Sequence, residues 1–140
     1  LSATFLSILI HQEVHMKPWF FFESKIPDAI KKLTGINAVA CSLGPFVFTK
    51  NKKEDVPEST IRHETIHFKQ QLELLFVFQW ILYGIFHLVG FLKSKDTRWA
   101  YLSNPFELEA YDNDEDVSYL EKRKLYSWIK YVNNMPENSK

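Results

Sequence analysis

Residues 74–92 form a run of nineteen positions without a formal charge, with Leu74 and Leu92 at its ends. A run of that kind has to be covered, either by the rest of the chain or by lipid. Nineteen residues just reach the length of a membrane span. Gln79, Gly84, His87 and Gly90 interrupt the run, and Lys93 and Lys95 follow it. It continues directly from a stretch that also has helical spacing. A single rod through both would exceed ~50 Å at 1.5 Å per residue, long for a chain of 140 residues. A bend near Gly84 is therefore expected, giving a helical hairpin that returns toward Asn104. Burial of that hairpin as the hydrophobic core is the reading adopted. Lipid contact, by spanning the bilayer or lying in its interface, is the alternative.

The preceding stretch holds His63-Glu64-Thr65-Ile66-His67. On a helix, residues four apart lie almost one above the other, so His63 and His67 can offer two imidazoles to one metal ion. Glu64 can then reach a metal-bound water as general base. With about 100° per residue, Ile61, Thr65, Phe68, Leu72, Leu75 and Phe76 share a sector that reads as core. Arg62, Lys69 and Glu73 share one that reads as solvent. His63, Glu64, His67 and Gln71 occupy a third, continued by Leu74 and Phe78, as the floor of a cleft would require. Asp55 as N-cap, Pro57 in the first turn and Glu58 three residues after the cap predict where the helix starts.

A catalytic zinc site needs a third protein ligand and leaves one position for water. Asn104 followed by Pro105 predicts a second helix start, and two glutamates follow it. Glu107 shares a face with Ala110, Tyr111 and Asp114, where a small residue would let two helices approach. Glu109 shares a face with Asp112, Asn113 and Asp116, a solvated pattern. Glu107 is therefore taken as the ligand over Glu109. Asp114 or Asp112 is expected to hold a ligating imidazole from behind. Tyr83, Tyr101 and Tyr111 are alternative donors to a tetrahedral intermediate.

These two motifs, H-E-T-I-H and E-L-E-A after an Asn-Pro start, resemble the gluzincin group of zinc metallopeptidases. In style they are similar to small bacterial and viral zincin-like proteins. The resemblance implies His63, His67 and Glu107 as ligands of Zn2+, Glu64 as catalytic base and a peptide or protein as substrate. Several gluzincins place Asp four residues after the ligand glutamate, where this chain has Tyr111.

The remainder predicts an α+β, mainly helical, zincin-like domain over residues 16–133, with a loosely packed extension over 1–15 and a polar tail over 134–140. Residues 27–33 read as a short helix ended by Gly35. Residues 36–41 and 45–49 read as two strands of a hairpin, whose edge would pair with an extended peptide. A last helix is expected over 117–132, with Val117, Leu120, Leu125, Trp128, Ile129 and Val132 on its apolar face. His11 and His15 sit in a strand or loop pattern that would hold their rings about 13 Å apart, so they are not read as ligands. Seventeen basic and seventeen acidic residues leave no net charge, hence no basic field for nucleic acid. The lone Cys41 has no disulfide partner and fits a cytoplasmic setting, with or without membrane association through residues 74–92. The leading function is peptide-bond hydrolysis by a zinc-activated water. The alternative is a non-catalytic metal-stabilised or membrane-associated interaction domain.

Overall fold

A computed structural model describes residues 2–4 and 16–134. His11, His15 and residues 135–140 lie outside the described residues. The fold is α+β and mainly helical. Strand β1 is Trp19–Phe21, helix α1 is Ile26–Thr34, and strands β2 and β3 are Ala40–Leu43 and Phe46–Thr49. A 3-10 turn over Lys53–Asp55 leads into α2, Glu58–Glu73, followed by α3, Val77–Ser94. Helices α4, Thr97–Leu102, α5, Pro105–Asn113, and α6, Tyr119–Lys122, precede a 3-10 segment over Ser127–Asn134.

The hairpin is tighter than its sequence suggests. Its turn is Gly44-Pro45, with Gly44 at φ 63, so the first strand starts at Ala40 and runs to Leu43. β1 adds a third strand, parallel to β3, giving the order β1-β3-β2 and leaving β2 at an edge. The sheet is fastened to α2 by one side chain. The Gly44 N–H donates to Gln71 Oε1 at 2.6 Å, and Gln71 Nε2 donates to the Ser42 carbonyl at 3.1 Å.

Helix α2 begins at Glu58 with Pro57 at its cap, and Asp55 belongs to the preceding turn rather than capping it. The long rod is broken, but not at Gly84. The break is at residues 74–76, where Leu75 and Phe76 take φ of 51° and 60°, a region L-residues enter at a cost. Phe76 is held there because its ring covers the hairpin turn: a Cβ placed on Gly44 would sit 3.7 Å from Phe76 Cδ1. Gly84 lies mid-helix in α3, and the reversal comes at Lys95, the left-handed C-cap. The close approach belongs instead to Gly90, where a Cβ would lie 3.0 Å from Ala100 Cα on α4.

The core is small and aromatic. Ile66, Phe68, Ala100, Phe106, Ala110 and Trp128 are buried. Phe106 stacks toward Trp128 at 4.7 Å between centroids and meets Phe86 at 5.9 Å. Most of α3 is not part of that core: Phe78 is 59% exposed, Ile81 52% and Leu88 55%, so burial as a hairpin does not account for the uncharged run. The predicted last helix is also divided. The chain leaves α6 at Arg123, whose side chain turns inward, and Trp128 and Tyr131 are buried while Val117, Leu125 and Ile129 are exposed.

The two α3 glycines should respond oppositely. Gly90→Val should overpack the α3–α4 contact and cost about 1–3 kcal/mol. Gly84→Ala, with open space at its Cβ, should gain about 0.5–1 kcal/mol of helix propensity. Denaturant unfolding of the two variants measures both. Equal effects would contradict this packing.

Candidate metal centre

Helix α2 presents His63, Glu64 and His67 on one buried face, and α5 presents Glu107 from its first turn against them. The start of α5 is set by Asn104, whose Oδ1 accepts from the Phe106 N–H at 3.2 Å, with Pro105 next. Ala110 is fully buried one turn after Glu107, which lets α5 close on α2. His63 Nε2 and His67 Nε2 stand 3.1 Å apart, and Glu107 Oε2 is 3.4 Å from each. Tetrahedral zinc with bonds of about 2.0–2.1 Å sets its ligand atoms about 3.3–3.4 Å apart. The three atoms therefore have the spacing of one face of such a tetrahedron.

The surrounding hydrogen bonds orient every member of that face. Asp114, at the end of α5, accepts from His63 Nδ1 at 3.2 Å. Gln70 Oε1 accepts from His67 Nδ1 at 2.8 Å, while Gln70 Nε2 donates to Glu109 Oε2 and the Phe106 carbonyl, both at 3.0 Å. A carboxylate and an amide oxygen can only accept, so both Nδ1 atoms carry a proton, and loss of any Nε2 proton would leave both Nε2 lone pairs facing the shared point. The Tyr83 hydroxyl donates to Glu107 Oε1 at 2.8 Å, which leaves Oε2 turned toward the imidazoles. Glu107 Oε2 and Glu64 Oε2 are buried without a hydrogen-bond partner. Buried polar atoms are rarely left so, and a cation held by His63, His67 and Glu107 would satisfy the first. The chemistry of the donor set, two imidazoles and one carboxylate, also fits zinc.

Burial pushes the Glu64 carboxyl above its ordinary range, with the two imidazoles acting against it and Glu107 with it. Burial acts to lower His67, but the charge of Glu107, whose Oε2 is 3.4 Å from the ring, prevails and holds it up at about 9. For Glu107, burial acts upward and is overcome by the imidazoles, so the net direction is down.

The site opens into a cavity of about 500 Å³ between β2 and α3, lined among others by Ser42, Glu64, His67, Tyr83, Tyr101 and Glu107. Cys41 also lines it, but burial first, and Glu64 second, push its thiol up to about 12, which removes it as a nucleophile near neutrality. Of the three tyrosines, Tyr83 and Tyr101 reach this cavity. Tyr111 packs its ring edge against His63 at 4.4 Å and shares a hydroxyl contact of 3.2 Å with Tyr101. His87 lines the cavity with a buried Nδ1 that has no hydrogen-bond partner.

Two expectations about the polar faces fail. Glu109 is fully buried, not solvated: it accepts from Arg123 Nε at 2.6 Å, the Tyr119 hydroxyl at 2.8 Å and Gln70. Arg123 also clasps Glu73, which was assigned to solvent along with Lys69, itself buried, and Arg62, whose Nε donates to the Asp114 carbonyl at 2.6 Å. Asp112 does not reach an imidazole and instead accepts from the Tyr131 hydroxyl at 2.6 Å. Gln70 had no sequence signal beyond lying three residues after His67, a position that faces back along the helix. No family model, curated protein or solved structure matches this chain.

The two glutamates should separate by readout. Glu109→Gln removes one of the two carboxylates around the buried Arg123 and should cost about 1–3 kcal/mol in denaturant unfolding. Glu107→Gln should instead lower zinc affinity in a competition titration. Unchanged affinity in Glu107→Gln would remove it from the ligand set.

The metal-stripped chain should also show a defined pH response. The folded His67 value, about 9, lies above the ordinary histidine value of 6.5. Its contribution to stability is then fully present below 6.5 and lost as pH rises through 9. Thermal unfolding in chelator should shift to lower temperature across that window. Zinc should abolish the shift, because binding expels the proton. A flat profile without metal would contradict the proton-sharing cluster.

Proposed function

We propose that this chain is a zinc-dependent metallopeptidase with a zincin-like arrangement, resembling the gluzincins, in which His63, His67 and Glu107 hold Zn2+. The observation that carries the proposal is the convergence of two imidazole Nε2 atoms and one carboxylate oxygen without a hydrogen-bond partner, at tetrahedral spacing, beside a second such carboxylate oxygen on Glu64. Zinc, when bound in such a site, polarises a carbonyl and lowers the pKa of a bound water.

The rest of the chemistry falls to the chain. Glu64, buried and free at Oε2, accepts the proton of the attacking water and returns it to the leaving amine. Its raised pKa suits both halves of that transfer, since it moves the carboxyl toward the operating pH. The Tyr83 hydroxyl engages Oε1 of Glu107, so Oε2 is the oxygen that would hold the metal. The Tyr101 hydroxyl, in the same cavity, is the nearest match to a donor for a developing oxyanion. Asp114 and Gln70 lock the tautomer and orientation of the two imidazoles. The edge strand β2 lines the cavity, so an extended peptide can pair along it. Gln71 occupies the Ser42 carbonyl, which restricts such pairing to the stretch around Ala40.

Glu64→Gln keeps the side chain's size and removes its basicity. That variant should retain stoichiometric zinc and its unfolding midpoint, and should lose hydrolysis of any peptide the parent cleaves by about 10²–10⁴-fold. Metal analysis with a quenched-fluorescence peptide library measures both. Cleavage at the parental rate would overturn the mechanism. A zinc-loaded parent that cleaves nothing would favour a non-catalytic metal-stabilised domain.

A further inference from the structure

Helix α3 has two apolar sides, and the domain covers only one. At about 100° per residue, Gln79, Tyr83, Phe86 and Gly90 fall in one sector, and these point into the fold. Tyr83 binds Glu107, Phe86 meets Phe106 and Trp128, and Gly90 abuts Ala100. The opposite sector holds Phe78, Ile81, Ile85, Leu88 and Leu92, all exposed. It carries no charge and no polar group from Phe78 to Leu92, about 21 Å of helix at ~1.5 Å per residue. Among the described residues, α3 is the one helix whose length and hydropathy reach those of a membrane span, with 11% of it buried in the fold.

The features around this face select its occupant. A protein partner would ask for hydrogen-bonding groups at a density of about one per 100–200 Å², and the outer sector offers none. Its C-terminal end is cationic: Lys93, Lys95 and Arg98 are all exposed. The one acid among them, Asp96, is engaged in capping α4 through the N–H groups of Arg98 and Trp99. Trp80, half exposed, stands on the flank between the apolar face and the cleft. A wholly apolar stripe, an interfacial Trp and a cationic rim together match the boundary of an anionic bilayer.

We propose that the outer face of α3 docks the domain on an anionic membrane surface, with α3 lying in the interface plane. Docked so, the cleft wall formed by Trp80, Gly84 and His87 stands at the lipid boundary. The substrates of the proposed hydrolysis are then apolar peptide segments presented there. That last step rests on the metallopeptidase reading, and the docking does not.

The test uses the full chain with phosphatidylcholine vesicles, alone and mixed with phosphatidylserine, in a sedimentation assay. The parent should pellet with the mixed vesicles and bind pure phosphatidylcholine more weakly. Ile81→Asp/Leu88→Asp, at exposed positions away from the cleft, should lower partitioning about 100-fold or more with zinc content unchanged. Lys93→Glu/Lys95→Glu leaves the apolar face intact, so it stays informative if the first variant misfolds. It should reduce binding to mixed vesicles by about fivefold or more per site. Glu64→Gln should bind as the parent does, which separates failed docking from failed catalysis. A parent that stays in the supernatant overturns the proposal. Should that parent also be a dimer that Ile81→Asp/Leu88→Asp dissociates, a second copy covers the face instead. Equal binding to both lipid mixtures, or no effect of Lys93→Glu/Lys95→Glu, overturns the anionic-surface assignment.

Discussion

Arg123 is the constraint around which the site is assembled. Its guanidinium is buried between Glu109 on α5 and Glu73 at the end of α2. Those two helices carry every ligand atom of the candidate metal centre, so the ion triad sets their relative position. The link continues inward. Glu109 accepts from Gln70, and Gln70 in turn orients His67. Taking three charges out of water is costly, and such a triad need not add net stability over an apolar packing of equal volume. What it does supply is register: a slip of α5 by one residue would replace Glu107 with Phe106 or Leu108 and take Glu109 away from Arg123, leaving Glu73 as its one carboxylate of the triad.

A second line of support runs from the opposite side. Asp114 holds His63 from the last turn of α5, seven residues after Glu107, so both ends of one short helix grip the imidazole pair. The supporting carboxylate is one turn beyond Tyr111, which instead packs its ring on His63. A carboxylate behind an imidazole acts by fixing the ring's tautomer and orientation, and any position on the same helical face can do this.

What the sequence discloses and what it hides divide along contact range. His63, Glu64, His67 and Glu107 are legible because their spacing is local: four residues on one helix, and the first turn after an Asn-Pro start. The α1 helix with its Gly35 stop, and the α5 start, follow from the same local rules. Glu109 is misread because its partner lies fourteen residues on, past a break that periodicity does not announce. The break after Glu73 is misplaced for a related reason. Gly84 looks like the hinge by propensity, yet the contact of Phe76 with the Gly44 turn forces two non-glycine residues into the left-handed region instead. Tertiary packing overrides local preference at both places, and neither contact leaves a periodic trace.

Helix α3 joins these arguments, because its two sides do different work. Its inner side delivers Tyr83 to Glu107 and Phe86 to the aromatic core, while its outer side remains uncovered. A helix that served only the core would show polar residues outward, as amphipathic helices in water do. A helix that served only lipid would not spend Gln79, Tyr83 and His87 on one flank. The Leu75–Phe76 break is what permits both, since it swings α3 off the axis of α2 and leaves its flank facing the metal cleft. The Tyr83 hydrogen bond is then the shortest physical path between the apolar face and the ligand set. A shift of α3 moves the oxygen of Glu107 that Tyr83 holds, so the seating of the helix and the spacing of the His63, His67 and Glu107 atoms are coupled.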